Sequence, residues 1–168
     1  MKIAVQDANV LIDLELAGLF DPWFQVGIET HTTSLIRLEL EAGHHDQTLA
    51  YFTGGQIHEH GLSFAELSEV ARLERAVGSK ARFNDCSVLF LARKLDAMLL
   101  SSDKALRQAA QTRHVEVHGT LWIMDQLIER KLISSVTAAA KLQFLLSRER
   151  FFPRTECEAR LKKWRSLA

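Results

Sequence analysis

The side chains best suited to chemistry in this sequence are four carboxylates far apart along the chain: Asp7, Glu39, Asp85 and Asp103. Three sit where an apolar or loop segment gives way to a helical pattern. Asp7 ends "KIAVQD", Asp103 follows "AMLLSS", and Asp85 stands behind Asn84 at a helix start. In parallel α/β sheets ligands bind at the C-terminal ends of strands, which is where Asp7 and Asp103 fall. Each also has an ordinary explanation. An acid at a helix N-terminus accepts backbone hydrogen bonds and meets the positive end of the dipole, contributing about 0.3–1 kcal/mol. Taken singly, Asp7, Asp85 and Asp103 are open between cap and site.

Glu39 falls within a helical pattern rather than at its start. Leu35, Leu38 and Ala42 make a stripe at i, i+3 and i+7, with Glu39 at i+4 on the same stripe. Asp85 shares a stripe with Val88, Leu89 and Ala92. Both are expected to point inward, and a carboxylate so placed needs a partner. These segments offer no obvious inward-facing basic residue. Carboxylates gathered without cations repel, by about 4 kcal/mol for a pair roughly 4 Å apart at an effective dielectric of about 20. A hard divalent cation such as Mg²⁺ or Mn²⁺ converts that repulsion into binding and leaves coordination positions for phosphate.

Positioning the acids falls to alternating strands and helices. Residues 2–6 suit a buried strand and 8–19 a helix, followed by a strand at 29–34 and a helix near 35–43 capped by Ser34. A helix at 45–53 precedes a third strand in "GQIHEHGL". Ser63 and Glu66 then form a capping box opening an amphipathic helix. Further on, the pattern predicts a helix at 85–95, a strand at 98–101, a helix at 103–111, a strand at 114–117 and a helix from Gly119 to about Lys131. Such alternation implies a parallel sheet with helices on both faces. Two more helices, 134–148 and 154–167, are separated at Pro153. The expected organisation is a domain at 1–133 and a basic helical extension at 134–168.

The formal net charge is zero, but residues 1–70 hold two basic side chains against eleven acids, and residues 71–168 nineteen against ten. Such segregation implies an acidic region beside a basic one, against the alternative of chance and solvated helix faces. No apolar run reaches the roughly 18–20 residues of a membrane span. The start meets an acid too early for a signal peptide, and the two cysteines make no CxxC pair. A cytoplasmic protein with reduced thiols is the expectation.

The segments "IAVQDANVLIDL", "TTSLIRLELEAG", "NDCSVLFLARKLDAMLLSSDKALR" and "VHGTLWIMDQLIERKLIS" resemble PIN-domain nucleases, in that order and spacing, over residues 1–133. The resemblance implies a three-layer α/β/α fold with a central parallel sheet of four to five strands. It implies Mg²⁺ or Mn²⁺ held by Asp7, Glu39, Asp85 and Asp103, with Asn9 and Ser102 as supporting polar groups. The implied activity is hydrolysis of single-stranded RNA. Many small members resemble VapC-type toxins, which implies an antitoxin partner and a homodimer, although those toxins are commonly shorter and lack the two basic helices. Arg72, Arg75, Lys80, Arg82, Lys104 and Arg107 flank the acids and are candidates for phosphate contacts, against the alternative of a solvated face paired with Glu69 and Glu74. The competing reading is a non-catalytic PIN-like module binding RNA or protein.

Other features are weaker. His44, His45, His58 and His60 lack the i, i+4 spacing of a helical zinc site and read as exposed. Cys86 has no evident histidine partner and reads as core. Cys157, Leu161 and Trp164 form a helical stripe expected to dock on the main body. A haloacid-dehalogenase-like phosphatase needs a second Asp two residues after the first, but position 9 is Asn.

Overall fold

The computed structural model describes residues 1–168. Five strands, β1 (Lys2–Gln6), β2 (Ile28–Thr33), β3 (Ile57–His60), β4 (Met98–Leu100) and β5 (Val117–His118), form one sheet. Its order is β3-β2-β1-β4-β5, with every neighbouring pair parallel. Ten helices surround it: α1 (Ala8–Ala17), α2 (Phe20–Phe24), α3 (Ser34–Ala42), α4 (Asp46–Thr53), α5 (Phe64–Val77), α6 (Phe83–Lys94), α7 (Lys104–Thr112), α8 (Thr120–Glu129), α9 (Ser135–Ser147) and α10 (Arg154–Ser166). The architecture is the expected three-layer α/β/α arrangement.

The chain steps from β1 outward to β2 and β3, then crosses back to build β4 and β5 on the other side of β1. The order therefore reverses between β1 and β4, and a crevice opens at their C-terminal ends. Register puts Gln6 beside Leu100, so the next residues, Asp7 and Ser101, meet there. β4 is buried throughout, as a central parallel strand must be, whereas edge strand β3 buries only Ile57 fully.

Local signals account for most boundaries. Helix α1 begins at Asp7 and stops at Gly18, whose φ of 61° is the left-handed conformation glycine tolerates best. The expected Ser63–Glu66 capping box opens α5. Helix α3 is capped one residue earlier than expected, by Thr33, whose Oγ1 accepts from the Ile36 amide. Helix α2 was not expected, because five residues are too short to display a period. Trp23 anchors it from a buried position, its Nε1 donating to Thr30 Oγ1 at 2.8 Å.

Residues 134–168 share the main core. Ala138, Leu142 and Leu145 of α9, with Cys157 and Trp164 of α10, belong to the same apolar cluster as the sheet. Trp164 Nε1 donates to Asp125 Oδ1 at 3.0 Å and Arg160 Nε to Asp125 Oδ2 at 2.8 Å, fastening α10 to α8. The stripe of Cys157, Leu161 and Trp164 thus docks on the body. No helix is long and apolar enough to cross a membrane.

Candidate active site

Three of the four acids do cap helices. Asp7 Oδ1 accepts from the Val10 amide at 3.0 Å, Asp103 Oδ1 from the Leu106 amide at 2.7 Å, and Asp85 Oδ2 from the Arg82 amide at 3.1 Å. Helices α1, α6 and α7 therefore turn their positive ends toward one crevice. The caps hold the carboxylates still, and their charges reach one another: Asp85 disfavours ionisation of Asp7, and Asp103 that of Asp85.

Asp7 is 2% exposed. Burial pushes its carboxyl up to about 7, against the favourable hydrogen bonds from Ser101 and Val10, with the charges of Asp85 and Asp13 adding to the rise. Burial also raises Asp85, offset in part by the Arg82 amide and guanidinium. No cation touches Asp7.

Ser101 joins the two strand ends. Its Oγ donates to Asp7 Oδ2 and accepts from the Asp103 amide at 3.1 Å. The neighbouring Ser102 lies with its Oγ 3.4 Å from Thr120 Oγ1. Asn9 is exposed, and its carbonyl oxygen accepts from Arg150 Nη2 at 3.2 Å.

The expected inward stripe around Glu39 is corrected by the structure. Leu38 is 58% exposed and Ala42 is also exposed, while Ile36 and Leu40 are the buried residues of α3. Glu39 flanks that face and reaches the crevice sideways. Its Oε1 accepts from Arg82 Nη2 and its Oε2 from Asn84 Nδ2, each at 3.3 Å. The expectation that no basic residue serves these acids is likewise corrected: Arg82, in the loop before α6, contacts Glu39 and lies 3.5 Å from Asp85 through Nε. A long side chain from a loop escapes helical periodicity, so the sequence offers Arg82 as a phosphate-contact candidate and not as the partner of Glu39 and Asp85. Thr33 Oγ1, 2.9 Å from Ser87 Oγ, ties the end of β2 to α6 and so sets the depth of Asp85.

No three of the four carboxylates bring oxygens within 4.8 Å of one another. The Asp85 charge acts on Asp7 and the Asp103 charge on Asp85, and Glu39 is linked to Asp85 through Arg82 and to the start of α6 through Asn84. All the donors are hard oxygens, and one is buried without a cation. Such a set fits a magnesium-class ion, which keeps several of its waters.

Three participants were missed in the sequence. Asp13 is 1% exposed; its Oδ2 accepts from Thr120 Oγ1 at 2.7 Å and its Oδ1 from Arg150 Nε at 2.6 Å. Its spacing from Val10 and Ala17, i+3 and i−4, would have placed it on the buried face of α1. Thr120 and Arg150 carried no local signal, because they reach Asp13 from α8 and from the loop before α10.

Among the cation candidates, Lys104 lines a cleft of about 250 Å³ with Asn9, Asp13, Ser102, Asp103, Arg150 and Phe151. Arg107 borders the adjoining hollow beside Trp122 and Glu156. Arg72 and Arg75 on α5 and Lys80 after it are exposed, and none is ion-paired with Glu69 or Glu74.

The family model DUF3368, described as a PIN domain, matches residues 3–166. No curated protein is significantly similar in sequence. Among solved structures, the crystal structure of PAE2754 from Pyrobaculum aerophilum is similar with a TM-score of 0.58 at 16% identity, covering 76% of this chain and 90% of that one. That likeness concerns the fold. The family match runs through the acidic crevice and on through both C-terminal helices, and the chain belongs to the PIN-domain family.

Proposed function

We propose that the protein is a metal-dependent endoribonuclease that hydrolyses phosphodiester bonds of single-stranded RNA. PIN domains are generally nucleases, which supports a hydrolase at the level of the family. The observation that carries the finer reading is the set of three helix-capping carboxylates whose charges act on one another, with Asp7 buried and without a cation.

Asp7, Asp85 and Asp103, with Glu39 at the flank, would hold Mg²⁺ or Mn²⁺. The chemistry supplied by such an ion when bound is acidification of water and charge opposite the phosphate oxygens. The chain's own residues do the rest. Ser101 and the capping amides orient the carboxylates, and Arg82 offsets charge at the mouth. Lys104 and Arg150, which line the same cleft as Asp103, would contact phosphates flanking the scissile bond. Phe151, 89% exposed at the rim of the same cleft, offers a flat face on which an unpaired base can stack. No side-chain nucleophile is invoked, and Cys86 is unsuited to be one: burial pushes its thiol up to about 11.

Asp85→Asn and Asp103→Asn should each lower Mn²⁺-dependent cleavage of single-stranded RNA by about 100-fold or more, with circular dichroism unchanged. Full activity in both variants, or in EDTA, refutes the proposal. The role of a toxin with an antitoxin partner rests on the family resemblance and is tested by co-purification with the product of an adjacent open reading frame.

A further inference from the structure

We propose that Glu29, His31 and His58 form a second metal site, on the face of the sheet at its β3 edge, for a borderline-soft divalent transition ion of the zinc class. Residues two apart on a strand share a face. Glu29 and His31 do so on β2, His58 and His60 on β3, and the parallel register sets His31 beside His58. One ligand atom from each of Glu29, His31 and His58 lies within 4.8 Å of the others.

The pair geometry is already near that of a coordinated site. Glu29 Oε2 and His31 Nε2 are 3.1 Å apart, and donors around tetrahedral zinc sit roughly 3.3 Å apart given bonds of about 2.0–2.1 Å. The His58 ring stacks on His31 with centroids 4.6 Å apart, and one of its nitrogens lies within 4.8 Å of a ligand atom of each of the other two residues. The other nitrogen of His31, Nδ1, lies 2.7 Å from His60 Nε2. A ligating imidazole usually donates its second N–H to a fixed acceptor, which sets the tautomer and the ring plane; here the acceptor would be the His60 ring nitrogen. His60 is therefore a positioning residue.

Access is from one side. His31 is 8% exposed, Glu29 is half-buried and His58 is exposed, leaving an outer coordination position for water. Two imidazoles and one carboxylate select zinc-class ions over magnesium, whereas the acidic crevice at the strand ends offers oxygen alone. The two sites differ in position and in donor chemistry.

The test is zinc titration of the full chain, stripped with chelator, against a chromophoric competitor in millimolar Mg²⁺. The wild type and Asp85→Asn should each take one equivalent of zinc with similar affinity. His58→Ala, at an exposed position that the fold does not need, should weaken binding at least about 100-fold, and His60→Ala about 10–100-fold. Failure of the wild type to compete for zinc overturns the proposal. So does unchanged affinity in His58→Ala, or a loss in Asp85→Asn as large as that in His58→Ala.

Discussion

Replacing Asp7 by Asn should make the metal-free protein more stable at alkaline pH. The side chain keeps its shape: the Asn oxygen still accepts from the Val10 amide, and its NH₂ can donate to Ser101 Oγ. What disappears is a buried charge. In the folded chain the carboxyl is pushed from its ordinary value of 3.8 up to about 7 by burial, so the folded state binds a proton more tightly than the unfolded state does. Stability therefore falls as pH rises from about 4 to about 7. At 1.36 kcal/mol per pKa unit, the charge on Asp7 costs about 4 kcal/mol at pH 8, about 2 kcal/mol at pH 5 and under about 1 kcal/mol at pH 4. Urea unfolding in EDTA at these three pH values reads the difference directly. Asp7→Asn should exceed the wild type by about 4 kcal/mol at pH 8, or roughly 10 °C in Tm for a chain of this size. The gap should close toward pH 4. A variant less stable than the wild type at pH 8, or a gap that does not change with pH, refutes the assignment of Asp7 as a strained carboxylate awaiting a cation.

Arg150→Ala strands the buried Asp13, whose partner lies 2.6 Å away with side-chain exposures of 23% and 2%. It should cost about 3 kcal/mol at neutral pH, less in acid because burial already raises the Asp13 carboxyl, and the double variant with Asp13→Asn should recover most of the loss in denaturant unfolding. Arg82→Ala breaks ion pairs in which the Arg82 side chain is 69% exposed, so stability should change by less than about 1 kcal/mol. Mg²⁺ affinity, measured by calorimetry, should rise as Glu39 and Asp85 are released. Gln6 is fully buried and neither of its amide atoms has a partner. Gln6→Met should raise the urea midpoint, since an unsatisfied buried polar group costs about 1–3 kcal/mol.

The legible parts of the site were those with a local signature. Asp7 and Asp103 stand at the ends of apolar runs, and Asp85 opens a helix, so local pattern alone puts all three at strand ends or helix starts. The helical pattern puts Glu39 on a stripe with Leu38 and Ala42 that the structure does not bury; α3 hides Ile36 and Leu40 instead, and Glu39 meets Arg82 and Asn84. Helical spacing does not apply to the histidines of β2 and β3, because side chains on a strand repeat every two residues. On β3, His58 and His60 share a face, and His31 completes the group from a neighbouring strand.

The amino-acid order by itself determined the alternation of strands and helices, the parallel sheet class and three helix-capping acids, because caps and periodicity act within a few residues of backbone. Tertiary structure alone decided that Ser101 meets Asp7, that Arg82 bridges Glu39 and Asp85, and that Arg150 reaches back to Asp13. Those contacts follow from strand order, register and loop reach, and such long-range pairings leave no periodic trace in the residues that make them.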